Sequence, residues 1–221
     1  MMYLPVCALG DVATPGRVTR AGARWDARVD RATYRHAGLR VDVDLPGPDL
    51  HHELAQLQAR LEAPEQPLGR LDPLVLDCPG LDFRIRQADG DYFVYVTDPV
   101  SARLVGYIVL SRLVEVNRRA DRYLRSPHAK VAQSHRRMGI TSTVYRWWLD
   151  SGHNLMSGER QSTEAHRMWS SLSRDYRLMY VRLQDKRVLP IDGEISDELL
   201  GSLGTRMVLM GRGCDPNRFV H

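Results

Sequence analysis

The sequence predicts a protein of the α/β class, of the α+β type, with a mixed and mostly antiparallel central sheet flanked by helices. Two observations support this fold class. Three runs of β-branched and aromatic residues follow one another with short turn segments between them, which indicates an antiparallel meander. Strands then alternate with amphipathic segments of helical period, which is typical of helices packed on a sheet.

The meander lies in the middle of the chain. Its strands are predicted at residues 83–87, 91–97 and 104–116, with turns at 88–90 and 99–103. Two more strands are predicted at residues 176–183 and 206–210, with 190–204 as an insertion between them.

Residues 131–148 predict the end of a strand, a compact basic turn and the start of a helix. The helix has one apolar face, and Gly152 is placed to end it. The residues of that face are Ile140, Val144, Trp147 and Trp148.

The basic turn has the pattern Arg136-x-x-Gly139-x-Thr141. A glycine in the first turn of a helix leaves several backbone N–H groups unpaired at the positive end of the helix dipole. Such a place binds anions, most naturally a phosphate. The first hypothesis is therefore a ligand that carries a pyrophosphate.

This turn resembles the motif Gln/Arg-x-x-Gly-x-Gly/Ala of the GCN5-related N-acetyltransferases, the GNAT superfamily. Arg136, Gly139 and Thr141 stand at its three defining positions, and Val131 matches an apolar strand residue before it. Thr141 departs from the family, where Gly or Ala lets the phosphate approach the backbone. The resemblance implies an acyl-CoA N-acyltransferase-like fold and transfer of an acetyl group from acetyl-CoA to an amine, which a protein or another macromolecule could carry.

The resemblance extends to the strand predicted at residues 154–158 and the helix predicted at 162–173. Ser162 stands where the family has an Asn that touches the cofactor. Trp169 stands where it has a Tyr that protonates the leaving thiolate, and an indole cannot supply that proton. The coenzyme A contacts that the resemblance implies are Val131, Gln133, Arg136, Arg137, Met138, Gly139, Ile140, Thr141 and Ser162.

Candidates for proton transfer are few. His128 and His135 flank the predicted strand and titrate in a suitable range for a base, and Glu115, predicted on the preceding strand, is comparable. Tyr176 follows the second helix and is the candidate acid. A backbone N–H of residues 131–133 would hold the oxyanion, which needs no particular side chain.

The first 80 residues are predicted to be an N-terminal extension with the opening elements of the fold, and residues 81–221 the GNAT-like core. A strand is predicted at residues 40–45, a helix at Leu50–Glu62 capped by Asp49, and a loop at 64–73. Residues 11–37 are compatible with extra strands, a partner-binding arm or a gating element.

A formal charge of +4 and a pI near 9.1 describe a mildly basic chain. Four arginines precede the phosphate turn, where they could steer coenzyme A, bind RNA or an acidic tail, or line a solvated loop. Nucleic-acid binding is not favoured, because aromatic residues do not interleave with the charges. The four are Arg118, Arg119, Arg122 and Arg125.

Three widely spaced cysteines argue against a disulfide framework. Since no membrane span, secretory signal or metal-ligand spacing is evident, a cytoplasmic protein without a metal is expected, and a homodimer stays open. The alternatives to an enzyme are a degenerate GNAT-like binding or regulatory module and a nucleic-acid-associated protein.

Overall fold

The computed structural model describes residues 49–63 and 71–220. The strand predicted at 40–45 and the arginine-rich stretch at 11–37 lie outside the described residues. The helices are α1 (Leu50–Glu62), α2 (Arg118–Asp121), α3 (Ile140–Asp150), α4 (Thr163–Leu172) and α5 (Asp197–Gly201). The strands are β1 (Asp72–Leu74), β2 (Asp82–Ala88), β3 (Asp91–Asp98), β4 (Arg103–Ser111), β5 (Leu124–Val131), β6 (Asn154–Met156), β7 (Leu178–Gln184), β8 (Arg187–Pro190) and β9 (Thr205–Leu209).

These strands form one mixed sheet in the order β1-β2-β3-β4-β5-β6-β9-β7-β8. Within the described residues the pair β5–β6 is parallel, and every other neighbouring pair is antiparallel. The predicted fold class, a mostly antiparallel mixed sheet flanked by helices, is confirmed.

The predicted meander is β2-β3-β4. Asp89 and Gly90 connect its first two strands with φ angles of 54° and 85°, the geometry of a tight type I′ hairpin. Side chains of β3 alternate between the two faces of the sheet, so that Val94 and Val96 enter one core and Tyr95 another.

Helices cover both faces of this half of the sheet. Helices α3 and α4 pack on the face of Val94, with Trp148 and Trp169 in the same cluster. Helix α1 packs on the face of Tyr95 through the four leucines of its predicted stripe: Leu50, Leu54, Leu57 and Leu61.

Helix α1 has the predicted bounds. The Asp49 carboxylate caps it by accepting the His51 N–H at 3.0 Å. Gln58 ties it to the β3–β4 turn, donating to the Ala102 carbonyl and accepting the Leu104 N–H. Strand β1 pairs with β2 and so belongs to the same sheet as the residues after position 81. Helix α1 packs into a core with residues of that sheet, Tyr95 and Leu104.

The strand predicted at residues 104–116 is too long. β4 ends at Ser111, because the buried Asp121 carboxylate accepts the Leu113 N–H at 2.8 Å and turns the chain. Leu113 and Val116 are buried without being in a strand, which is why the apolar run suggested a continuation.

The end of the chain contains elements that the sequence does not predict. β8 begins between the strand predicted at 176–183 and the insertion predicted at 190–204, and α5 lies within that insertion. The β7–β8 hairpin turns through Asp185 and Lys186 with φ angles of 50° and 60°. Neither residue is the Gly or Asn that usually signals such a turn. Pro73, predicted in a loop, lies in the edge strand β1, where a missing N–H costs no ladder bond. No described helix is both long and apolar enough to cross a membrane.

Gly106 allows β5 to lie close to β4. A Cβ at this position would stand 2.9 Å from the Lys130 carbonyl oxygen and 3.2 Å from Val131 Cγ2. We expect Gly106→Ala to lower the free energy of unfolding by roughly 1–3 kcal/mol through overpacking, measured by urea denaturation. Gly201→Ala, where a Cβ would meet open space, is the control and should leave it unchanged or raise it by up to about 1 kcal/mol. Equal stability of the two variants would show that the close approach is unimportant.

Candidate active site

The pairing of β5 with β6 ends after their first residues, from which we infer a crevice between the two strands. The two strands pair in parallel only at Leu124 with Asn154 and at Arg125 with Leu155, although β5 continues to Val131. The remaining part of β5 therefore bonds to β4 on one side and has an open edge on the other. A crevice at the carboxyl ends of parallel strands is a common place for ligands in α/β sheets.

The strand register shows which groups face this crevice. The Ala132 N–H donates to the Val105 carbonyl at 2.8 Å, and residues directly opposite each other in an antiparallel pair bond at every second position. Even-numbered residues of β5 thus bond to β4, and the N–H groups of Ala129 and Val131 point to the crevice. Pro127, the other odd-numbered residue near the crevice, has no N–H.

The basic turn lies at the end of β5 and leads directly into α3. A short 3-10 turn at Gln133–His135 is followed by Gly139, the N-cap of α3, with φ 79° and ψ 2°. Within the described part of the chain, no acceptor is bonded to the backbone N–H groups of residues 137–142. The predicted run of unpaired donors at the start of the helix is present.

The turn is open to solvent. Residues 136–139 are exposed, and a Cβ at Gly139 would come no closer than 3.7 Å to another group, the Ser142 hydroxyl. The Cys78 thiol donates to the Met138 carbonyl at 3.8 Å, and Arg136 Nε donates to the Val131 carbonyl at 3.4 Å. These contacts involve the Met138 carbonyl and the Arg136 side chain, and they leave the backbone N–H groups of residues 137–142 unbonded within the described residues.

The start of α4 lies at the same end of the sheet, because α4 follows β6 as α3 follows β5. The Ser162 hydroxyl accepts the Ala165 N–H at 3.2 Å and so caps the helix. Trp169 is 2% exposed and belongs to the core under α3 and α4. Its indole is a packing group in this structure.

Four polar side chains meet on the other face of β5, below α1. Glu53 Oε1 accepts the Tyr107 hydroxyl at 2.5 Å, and Glu53 Oε2 accepts the Lys130 ammonium at 2.6 Å. The ring of His128 lies 6.5 Å from that of Tyr107, centroid to centroid. We call these four residues the α1-face cluster. Sequence reasoning found only His128, since nothing in the sequence shows that α1 crosses β4 and β5 at Glu53.

Contacts within the cluster and partial burial shift the pKa values of His128, Glu53 and Tyr107. Desolvation and then the Lys130 charge lower the pKa of His128, although Glu53 raises it and part of the ring is open to solvent. Hydrogen bonds from Lys130 and Tyr107 lower the pKa of Glu53, and desolvation followed by the Glu53 hydrogen bond raises that of Tyr107. At neutral pH the cluster holds a carboxylate, an ammonium, a phenol and a neutral imidazole that can accept a proton.

Tyr176, the predicted acid, lies at the other end of α3. Its hydroxyl donates to Asp150 Oδ1 at 2.9 Å, and Asp150 is the last residue of the helix, about 16 Å along the axis from Gly139. The guanidinium groups of Arg146 and Arg212 lie over the Tyr176 ring. The structure does not bring Tyr176 together with the phosphate turn or with His128.

The other predicted groups are also placed away from the crevice or are already bonded. Glu115 lies in the loop after β4, and its carboxylate accepts from the buried Arg206 guanidinium at 3.0 Å. His135 Nε2 lies 4.0 Å from the Asp98 carboxylate beside the β3–β4 turn.

The arginine cluster is not next to the phosphate turn. It lies on α2 and at the start of β5, and the six residue steps from Arg125 to Val131 span about 20 Å of strand. Arg119 donates to the carbonyls of Asn217 and Arg218, and Arg125 to that of Leu124. Two of the four guanidinium groups therefore bind the chain's own backbone.

Tyr176→Phe separates a structural from a catalytic role of this phenol. Although desolvation opposes them, the Arg212 guanidinium and the Tyr176 hydroxyl hold the pKa of Asp150 below its ordinary value. Loss of the hydroxyl should therefore lower the free energy of unfolding by roughly 1–3 kcal/mol and raise the pKa of Asp150, measured by denaturation at several pH values. Tyr123→Phe is the control, as no hydrogen bond to its hydroxyl occurs among the described residues. Unchanged stability with loss of acetyl transfer would instead assign Tyr176 to catalysis.

The chain was compared with known proteins. No protein-family model and no curated protein matches it. Among solved structures it is similar to a GNAT superfamily phosphinothricin acetyltransferase from Sinorhizobium meliloti in complex with acetyl-CoA, with 16% identity over 59% of this chain and 71% of that chain and a TM-score of 0.31.

Two chimeras of spermidine N-acetyltransferase SpeG from Vibrio cholerae with hSSAT are also similar. The K23-Q34 chimera is 15% identical over 55% of this chain and 68% of its own, with a TM-score of 0.32. The K23-Y30 chimera is 16% identical over 54% and 67%, with a TM-score of 0.31. All three of these proteins are acetyltransferases.

Proposed function

We propose that this protein is an acetyl-CoA-dependent N-acetyltransferase that acts on an amine. The observation that supports this best is that two sets of unpaired N–H groups lie along β5 and the turn that follows it. One set lies at residues 137–142 of the phosphate turn, and the other lies on the crevice edge of β5 at Ala129 and Val131.

Coenzyme A has the chemistry to satisfy both sets. Its diphosphate suits the exposed N–H groups at the positive end of the α3 dipole. Its extended arm carries two amides, which suit the row of donors and acceptors on an open strand edge, in the manner of an added strand. The thioester of the bound acetyl group then supplies an activated carbonyl. Gly139 has no Cβ to obstruct the diphosphate.

The residues around the crevice suit the transfer chemistry. Of the N–H groups predicted to hold the oxyanion, that of Ala132 is bonded to Val105, whereas that of Val131 is free to act. His128 extends from the same strand and is neutral at pH 7, so that it can accept the proton of an attacking amine. Because Glu53 of α1 contacts this region, the proposed catalytic unit includes α1 together with residues 81–221.

A binding or regulatory module is the second candidate. It is favoured by Trp169, which is buried where the family has its phenolic acid, and by Tyr176, whose hydroxyl is bonded to Asp150 far from the turn. A thiolate leaving group is stable enough to depart without that acid, so the enzyme remains the better proposal. Binding of acetyl-CoA without transfer to any member of a broad amine panel would favour the module.

Gly139→Asp tests the phosphate turn. Acetyl-CoA at about 100 times its Kd should stabilise the native protein by about 2.7 kcal/mol, measured as a rise in Tm. The variant places a carboxylate and side-chain bulk among the unpaired donors, and it should abolish that rise.

Gly193→Asp is the matched control. Gly193 also has positive φ, 91°, and open space around it, so the substitution carries a similar backbone strain away from the turn. Its ligand-induced rise in Tm should equal that of the unaltered protein. A rise retained by Gly139→Asp, or absent from the unaltered protein at millimolar acetyl-CoA, would refute the proposed site.

Charge reversal distinguishes the turn from the distant arginine cluster. Arg137→Glu should weaken acetyl-CoA binding at least tenfold, roughly the effect of a lost charge pair with a phosphate. The Arg137 backbone already has φ 65°, and Glu keeps that strain unchanged. Arg122→Glu, on the exposed residue after α2, should leave the Kd unchanged in isothermal titration calorimetry. Equal weakening by both variants would favour long-range steering by net charge.

A further inference from the structure

We propose that Glu53 is a positioning residue for the acetyl transfer. In this proposal, which rests on the function proposed above, Glu53 holds Tyr107 and Lys130 beside His128, and His128 takes the proton of the acceptor amine on the α1 face of β5. The geometry of the α1-face cluster and its place beside the crevice support this assignment.

The Glu53 carboxylate joins three elements of the fold. One oxygen accepts from Tyr107 on β4 and the other from Lys130 on β5, at 2.5 and 2.6 Å. Tyr107 and Lys130 are direct partners in the β4–β5 register, so one carboxylate of α1 binds both members of a cross-strand pair. Both side chains of the ion pair are about 30% exposed, which leaves the cluster within reach of an incoming molecule.

The cluster borders the open edge of β5. His128 and Lys130 flank Ala129 in the sequence, and their side chains share the face that α1 covers. The Ala129 N–H points to the crevice in the plane of the sheet. A thioester bound along that edge therefore has His128 immediately beside it, on the side where α1 leaves part of the ring open to solvent.

The charges around His128 oppose each other. The charged or titratable groups that face it are Glu53 from α1, Tyr107 from β4 and Lys130 from its own strand. The ammonium favours the neutral imidazole and the carboxylate favours the imidazolium. Because Glu53 fixes Lys130 by a direct bond, it sets the balance between the two and prevents the ammonium from moving towards the imidazole.

In the transfer, a bond forms between the acceptor nitrogen and the acetyl carbon, and the carbon–sulfur bond breaks. The proton lost by nitrogen passes to the His128 ring, and the thiolate of coenzyme A leaves and takes a proton from solvent. The reacting group of the acceptor is an amine.

Two substitutions with opposite expected effects test the proposal. Glu53→Gln removes the negative charge and keeps an acceptor for the Tyr107 hydroxyl, whereas Lys130→Gln removes the positive charge. The pH dependence of kcat/KM is measured with acetyl-CoA and an amine found active in a panel, and the His128 ring is titrated by NMR. Glu62→Gln, on the same helix but bonded to Gln58 instead, is the control.

We expect the acid limb of kcat/KM to move to lower pH in Glu53→Gln and to higher pH in Lys130→Gln. The neutral base is lost below its pKa, and removal of a negative neighbour lowers that pKa while removal of a positive neighbour raises it. The NMR titration should move in the same directions. In Glu53→Gln, kcat should fall about tenfold to a hundredfold as the cluster loosens, with the KM for acetyl-CoA unchanged. Glu62→Gln should resemble the unaltered protein.

The other outcomes are separable. In one of them, the unaltered protein transfers acetyl groups while the acid limbs of Glu53→Gln and Lys130→Gln stay in place or move in the same direction. That result refutes the role of Glu53, and the proposed function stands. If acetyl-CoA binds and no amine is acetylated, the proposed function fails and the positioning role with it. Should Glu53→Gln not fold, Lys130→Gln decides, because its acid limb must move to higher pH.

Discussion

The incomplete pairing of β5 with β6 is the constraint on which the candidate site depends. Backbone N–H groups inside a sheet are normally satisfied by the neighbouring strand, but here the pairing stops after two positions. Val131 and Ala129 consequently present donors to a crevice instead of to a strand. Two neighbouring parallel strands, each followed by a helix, also bring the first turns of α3 and α4 to the same edge, and so the crevice ends at two positive helix ends.

The two faces of β5 carry different kinds of side chain, apolar on one face and titratable on the other. Ala129 and Val131 contribute side chains to the core beneath α3 and α4, which fixes the strand beside the crevice. His128 and Lys130 extend to the other face, where Glu53 of α1 binds Lys130 and His128 stays exposed. One strand thereby supplies backbone donors in its plane, apolar packing on one side and titratable groups on the other. The period of two residues along a strand makes this combination available in four consecutive positions, 128–131.

Reasoning from sequence predicted the turn at Gly139 with its unpaired N–H groups and did not predict the cluster under α1. The turn is local: Gly139 with its positive φ, the following apolar face of α3 and the basic residues before it are all within a few positions of one another. The contact between Glu53 and Lys130 joins residues 77 positions apart, and no periodicity encodes such a pair. Tyr176 shows the same limitation. The sequence predicts it as the candidate acid because it follows the second helix, whereas in the structure its hydroxyl bonds to Asp150 at the far end of α3.

The sequence by itself determined the local elements: the meander, the capped helix at Leu50–Glu62, the turn at Gly139 and the helix capped by Ser162. Propensity, capping and hydrophobic period act over a few residues, so these features can be read directly from the chain. Only the tertiary structure decided that β4 ends at Ser111, that the arginine cluster lies about one strand length from the phosphate turn, and that α1 brings a carboxylate to β5. Those outcomes depend on contacts between distant residues such as Asp121 with Leu113 and Glu53 with Lys130, whose energy is realised only when the sheet and its helices have packed together.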